Sequence, residues 1–259
     1  MTRQLGEQIR NALPFVLLLV IWEAASRLTG VAAYILPPPS QVAERFVDSG
    51  DLLLTNGWYT LSSILVGYAA AVVSGFLLAI LIAYSRWLQR LLEPLIVVLQ
   101  VLPKVALAPL FLIWFGHGLA PKIIIVGTIA FFPILVNVIV GLKSAEADMI
   151  ELMESVAASK AQIFWKIRLP TTLPFFFPAL KMAALLSVVG AMVAEFVASD
   201  RGLGYLMIRA NINLETDLLF AALAVITLIG LALYGSVVWL EYMVLSRFGD
   251  GGSRQLVPL

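Results

Sequence analysis

Apolar residues fall along this chain in six long runs, at about 12–29, 59–85, 92–115, 120–142, 176–198 and 217–243, parted by polar stretches. Each run holds roughly the 20 residues that a helix needs to cross a bilayer core. The pattern predicts an all-α, polytopic membrane protein with about six transmembrane helices. The longest polar interruption in the second half is Ala147 to Pro174, ADMIELMESVAASKAQIFWKIRLPTTLP. Two short helical patterns are expected in it, divided by the small residues Ala157, Ala158 and Ser159. The second carries Ile163, Phe164 and Ile167 at helical spacing, and Leu169-Pro170 is expected to end it, because the residue before a proline avoids the helical region. An amphipathic helix-turn-helix tethered between spans is expected to dock a soluble partner.

Composition agrees with the runs. Hydrophobic residues make up 61%, charged residues 13%, and the mean hydropathy is +0.97, outside the soluble globular range. A formal net charge of +1 gives no reason to expect nucleic acid as a partner, and zero cysteines exclude disulfides and thiolate metal sites. Arg3 and Arg10 precede the first run in the manner of a signal peptide, but Glu23 and Arg27 follow it, so an uncleaved first span is expected. With the Ala147–Pro174 stretch in the cytoplasm, both termini are cytoplasmic. Arg3, Arg10, Arg86, Arg90, Lys143, Lys160, Lys166, Arg168, Lys181, Arg247 and Arg254 then lie inside. Arg27, Arg45, Lys122, Arg201 and Arg209 lie outside, and Lys104 lies within a span; eleven against five follows the positive-inside bias.

Several runs carry internal features. The second has small residues four apart, Ser63, Gly67, Ala71, Gly75, Ala79 and Ala83, a ridge for close helix packing within the chain or across a dimer. Before it, Pro37 to Pro39 force an extended approach, after which Ser40 is expected to cap a short helix through Phe46. The third run is interrupted by Pro94, Pro103 and Pro109 and holds Lys104. A lysine at membrane depth is a candidate pathway residue, or else it snorkels or pairs with Glu195. In the fourth run Asn137 is expected to bond another helix or to face the pathway. The fifth places Gly190, Ala194 and Ala198 four apart, with Glu195 on the ridge as a structural ion or a pathway group. Gly202 and Gly204 follow in a tight outer turn. The chain's end, rich in glycine, is expected to be disordered.

The sequence holds little bond-making chemistry. His117 is the only histidine, set between Gly116 and Gly118, and is read as a surface residue. No GxxxxGK[ST] phosphate loop is present, so ATP hydrolysis is not expected of this chain.

Four elements in order resemble one family. Glu151, Ile167, Leu169 and Pro170 fall on the spacing of the cytoplasmic loop of ABC-transporter permeases of the binding-protein-dependent import family. Leu152 and Met153 stand where that pattern has alanines. Ala157 stands where it has glycine, which adopts a left-handed turn more readily. LPPPSQV, PKVALAPLFLIWFGHG and AEFVASDRGLGYL are similar to stretches of the nitrate/sulfonate/taurine branch. The resemblance runs from about Leu36 to Tyr242 and implies a type I importer permease fold. It implies one permease domain over 1–259, with a core at about 58–245 and a cytoplasmic coupling loop at about 144–174. It further implies a non-enzymatic permease subunit in the bacterial inner membrane, working as a homodimer. Two ATP-binding subunits, which hold ATP and magnesium, dock beneath it, and an extracytoplasmic solute-binding protein docks outside. Glu151, Glu154, Ala157, Ala158, Ser159, Lys160, Phe164 and Pro170 are the expected ATPase-docking residues. Lys104, Asn137 and Glu195 are assigned to the pathway, and Arg201, Gly202, Gly204 and Tyr205 to the loop facing the binding protein. No catalytic, metal or cofactor site is expected in this chain. The cargo stays open among sulfonates, nitrate, taurine, pyrimidine precursors and flavins. A secondary transporter or channel built on the broken third run and Lys104 is the alternative. A membrane-embedded enzyme is disfavoured, since no catalytic cluster appears.

Overall fold

The computed structural model describes residues 2–248, and among them there are helices, turns and no strand. The glycine-rich tail and Arg254 lie outside the described residues. The elements are α1 (Thr2–Leu28), α2 (Pro39–Asp48), α3 (Gly50–Tyr84), α4 (Arg86–Val101), a 3-10 turn (Lys104–Leu107), α5 (Ala108–Phe115) and α6 (Leu119–Lys143). They continue as α7 (Ala147–Ser155), α8 (Lys160–Ile163), a π turn (Phe164–Arg168), α9 (Leu169–Ala198), α10 (Leu203–Ile212) and α11 (Thr216–Phe248). Four described helical stretches are long and apolar enough to cross a membrane: Gly50–Tyr84, Leu119–Lys143, Lys160–Val197 and Thr216–Ser246. The pair α4 and α5, bent by 87°, makes a fifth. The first predicted run lies within α1, whose apolar side chains from Val16 to Ile21 are exposed.

The chain forms two compact units, Met1–Thr60 with Ser199–Thr227, and Leu61–Ala198 with Leu228–Leu259. In the first, the three prolines act as expected up to Pro38, extended at φ −65°, ψ 145°. Pro39 then opens α2, where a missing N–H leaves no bond unmade. Ser40 therefore sits inside the first turn and does not cap α2. The cap comes from α1 instead. One Glu23 carboxylate accepts the Ser40 N–H at 3.0 Å, the Ser40 hydroxyl at 2.9 Å and the Arg27 Nε–H at 2.6 Å. Arg45 on α2 reaches Glu215 at 3.4 Å and Asp217 at 3.9 Å, and Trp22 packs on Phe220 with ring centroids 5.1 Å apart.

The second unit is built on α6 and α9. Where these helices pack, glycine replaces side chain with backbone contact. A Cβ on Gly190 would stand 2.9 Å from the Val126 Cα, and one on Gly141 would stand 2.8 Å from the Thr172 side chain. These two contacts run the helices antiparallel along about 22 Å of α6. The predicted ridge of α3 packs on the same helix, Gly67 against Val126 and Gly75 against Ile134. Its role is thus packing within the chain. Ala71, Ala79, Ile82, Ile134, Leu135, Val138, Phe177 and Ala184 form the buried centre.

Of the three prolines expected to break the third run, only Pro103 does. Pro94 is carried inside α4, and Pro109 occupies the first turn of α5, where its lack of N–H is harmless. Leu102, held extended at ψ 130° by the proline after it, turns the chain away. The expectation that Leu169-Pro170 ends a helix is also corrected. Leu169 is helical at φ −67°, ψ −47°, and α8 runs through the π turn into α9 without interruption. Proline at 170 cannot bond the Lys166 carbonyl, so the ladder widens there by one residue. The Thr171 hydroxyl donates to the Ile167 carbonyl, and the Thr172 hydroxyl donates to the Arg168 carbonyl at 2.6 Å.

The glycine contacts predict opposite outcomes for two similar changes. Gly190→Ala is expected to destabilise the detergent-solubilised protein by about 1–3 kcal/mol, since the obstacle is backbone. Gly235→Ala, with open space around it, is expected to be neutral or to stabilise by about 0.5–1 kcal/mol. Apparent Tm values of the two variants decide this.

Candidate functional site

The polar hairpin is built by two capping motifs in succession. α7 ends on a left-handed Ala157 at φ 58°. The Ala157 N–H donates to the Glu154 carbonyl at 2.9 Å and the Ala158 N–H to the Met153 carbonyl at 2.9 Å, the paired bonds of a Schellman turn. The turn thus keeps the geometry in which glycine is usual, with alanine held in it. Ser159 then caps α8. Its hydroxyl accepts the Gln162 N–H at 3.3 Å while the Gln162 side chain accepts the Ser159 N–H at 2.7 Å. Ser159 therefore has a structural role that the sequence reading did not assign.

Of the expected docking residues, Glu151, Glu154, Ala157, Ser159 and Lys160 are exposed, and Ala158, Phe164 and Pro170 are half-buried. Phe164 faces inward. Its ring lies 6.2 Å from Tyr84 at the end of α3, and Arg168 stacks on the same Tyr84 at 5.0 Å. These contacts pin the hairpin to the bundle. The apolar surface it does expose was missed: Met149, Leu152 and Val156, with Leu152 66% and Val156 68% exposed. Their i, i+3, i+7 spacing was legible as one helical face.

Lys104 and Asn137 come together. They line one pocket of ≈ 290 Å³ with Gln100, Phe132, Pro133 and Met182, at the bend between α4 and α5. The Lys104 ammonium donates to the Gln100 carbonyl at 3.1 Å and lies 4.8 Å over the Phe132 ring. It does not pair with Glu195. Asn137 bonds its own helix, donating to the Pro133 carbonyl at 2.8 Å, and does not bridge to another.

Glu195 is not among the residues lining that pocket. It is 1% exposed, and Lys122, assigned from sequence to an outer position, is only 8% exposed. The antiparallel register fixed by Gly190 on Val126 brings Glu195 on α9 level with Lys122 on α6. The sequence reading missed the burial of Lys122 because it lies at the edge of an apolar run.

The outer turn has helix α10 where only a tight loop was expected. Asn56 Oδ1 accepts the Gly202 N–H at 2.9 Å, and Thr60 Oγ1 accepts the Leu203 N–H at 2.8 Å, so α3 caps α10. Gly202 and Gly204 are buried, Tyr205 is half-buried and Arg201 is exposed. Arg201 donates to the Tyr59 hydroxyl at 2.8 Å, a bond that pushes its guanidinium pKa further up. Among the described residues, no three His, Cys, Asp or Glu converge as metal ligands.

Comparison with known proteins adds four findings. The family described as binding-protein-dependent transport system inner membrane component matches residues 71–248. The chain is 35% identical over 240 residues to the formylaminopyrimidine transport permease protein of Halalkalibacterium halodurans, covering 92% of this chain and 96% of that one. It is 38% identical to the riboflavin transport system permease protein of Chloroflexus aurantiacus, covering 85% and 82%. Among solved structures, an inward-facing MetNI methionine ABC transporter matches with a TM-score of 0.57 at 20% identity, over 72% of this chain and 94% of that chain. That likeness shows the fold.

Two predictions follow from the geometry. Ala157→Gly is expected to be neutral or to stabilise by up to about 1 kcal/mol, because relief of the left-handed strain is partly offset by a freer unfolded chain. Ala157→Val is expected to destabilise by more than about 1 kcal/mol; apparent Tm measures both. For the buried charges, Lys122→Met and Glu195→Gln are each expected to lower stability by about 3–5 kcal/mol, and the double variant by much less than their sum. An additive double-mutant cycle would show that the two residues do not act as a pair.

Proposed function

The chain belongs to the binding-protein-dependent transport inner-membrane family, as the multi-pass permease of an ABC importer for a small solute, and we propose how it does its work. One observation carries the mechanism: α8 continues through the π turn into α9. The cytoplasmic hairpin is thus the end of a membrane-spanning lever, and a push on it moves α9 as a body. α9 supplies Met182 and Leu186 to the pocket that Lys104 and Asn137 line. Its Lys181 is tied to Glu241 of α11 at 2.5 Å, and its Leu180 carbonyl accepts the Tyr68 hydroxyl of α3 at 3.1 Å. Displacement of the hairpin therefore reaches the pocket through packed helices and charged ties.

On this reading the chain acts as one permease domain and pairs with a second copy. Two separate ATP-binding subunits, holding ATP and magnesium, dock on the hairpins through Glu151, Glu154, Lys160 and the exposed face of Met149, Leu152 and Val156. Both termini are cytoplasmic, and a solute-binding protein delivers cargo at the outer turn near Arg201 and Tyr205. Support comes from the exposure of these side chains and from the relatives, which are named as permeases for different small solutes. Family membership does not favour the secondary transporter or channel.

Glu151→Lys is expected to abolish co-purification of the ATPase while membrane insertion stays intact. Retention of the ATPase at high salt would refute the docking assignment. Solute uptake by the purified chain alone, driven by an ion gradient, would refute the importer mechanism.

A further inference from the structure

The pocket at the α4–α5 bend does not end at Gln100. A second cavity of ≈ 450 Å³, with Glu93, Val97 and Lys143 in its walls, shares both Gln100 and Val136 with the first. The two cavities meet at Gln100 and Val136 and line up between α4 and α6 as a groove, from the bend toward the cytoplasmic end of both helices. Its walls are mainly apolar, and its polar groups stand at three levels. Lys104 and Asn137 hold the deep end, Gln100 the middle and an ion pair the exit. There the Lys143 ammonium lies 3.3 Å from Glu93 Oε1, which also accepts the Gln89 amide at 2.8 Å.

The two lysines differ in one respect. Lys143 has a carboxylate beside it. Lys104 has a carbonyl and an aromatic face, and no carboxylate among the described residues pairs with it. A cation at membrane depth without a counter-charge is costly, and an anion entering the groove offsets that cost. Fixed positive charge within low-dielectric walls raises the local concentration of anions and excludes cations. At the exit, a passing anion competes with Glu93 for Lys143, so the ion pair opens when the anion arrives and recloses behind it.

We propose that the α4–α6 groove is the inner half of the solute path, that it selects for an anionic group received by Lys104, and that the Glu93–Lys143 pair gates its exit. The inference rests on the importer reading above. It assigns the cargo an anionic group small enough for the bend, whatever its body carries.

The absence of native cysteine makes the groove directly readable. With Gln100→Cys as the one thiol of this chain, and labelling read on this chain in membranes containing the assembled importer, two probes of similar size are compared. They are the anionic 2-sulfonatoethyl and the cationic 2-trimethylammonioethyl methanethiosulfonates. The ratio of their rates cancels the thiolate fraction, which Lys104 also alters. The anionic probe is expected to react faster by on the order of tenfold. Lys104→Met is expected to bring the ratio near one, while Lys104→Arg preserves it and controls for folding. With Val97→Cys as the thiol, Glu93→Gln is expected to raise the anionic preference severalfold by freeing Lys143. A Gln100→Cys protein unreactive to both probes, or a ratio indifferent to Lys104→Met, would overturn the inference. ATP-driven uptake and ATPase co-purification are read in the same membranes. Their loss strikes the importer reading, whereas intact uptake with an indifferent ratio strikes only the anion-selective groove.

Discussion

Backbone contact between α6 and α9 holds the larger unit together. Lipid tails are as apolar as leucine, so helices in a bilayer gain nothing by hiding hydrophobic surface and must gain from close packing. Gly141 and Gly190 allow this at two places along the same pair, and Gly67 and Gly75 repeat it between α3 and α6. α6 thus becomes the post on which two other helices lean. Two of its polar residues, Lys122 and Asn137, are positioned by that packing, one buried near the level of Glu195 and the other facing the pocket.

The prolines show how the same residue does different work by position. Pro39 and Pro109 open helices, Pro103 turns a span through 87°, and Pro170, Pro174 and Pro178 lie within an unbroken one. At Pro170 the mismatch is absorbed by a π turn, and in that turn two threonine hydroxyls bond the Ile167 and Arg168 carbonyls. The consequence is mechanical. A helix that stopped at Leu169 would leave the hairpin on a hinge, while a helix that continues makes it an extension of the span.

The sequence made most of the architecture legible. Hydropathy placed the runs, and residue spacing located the hairpin, with Ala157 at its turn. Less legible were the contacts that join distant segments. Glu23 capping α2, Asn56 and Thr60 capping α10, and the burial of Lys122 all depend on residues far apart in the chain. The outer helix α10 was missed because its stability comes from α3 and not from its own first turn, which begins at a bare glycine. Phe164 and Ser159 were expected to meet a partner, and the structural roles the fold gives them, anchoring the hairpin and capping α8, were not read from the sequence.

Composition and periodicity by themselves determined that this is a helical membrane protein with a polar hairpin after its fourth apolar run, because local apolar length suffices to commit a segment to the bilayer. They also marked Lys104 and Asn137 as residues out of place there. Only the tertiary structure decided that those two share a pocket, that Glu195 stands apart from them, and that α8 and the fifth span form one uninterrupted helix. Such facts depend on helix register, on one bend angle and on whether a proline breaks or is absorbed. Those are set by packing between helices, which a one-dimensional pattern does not contain.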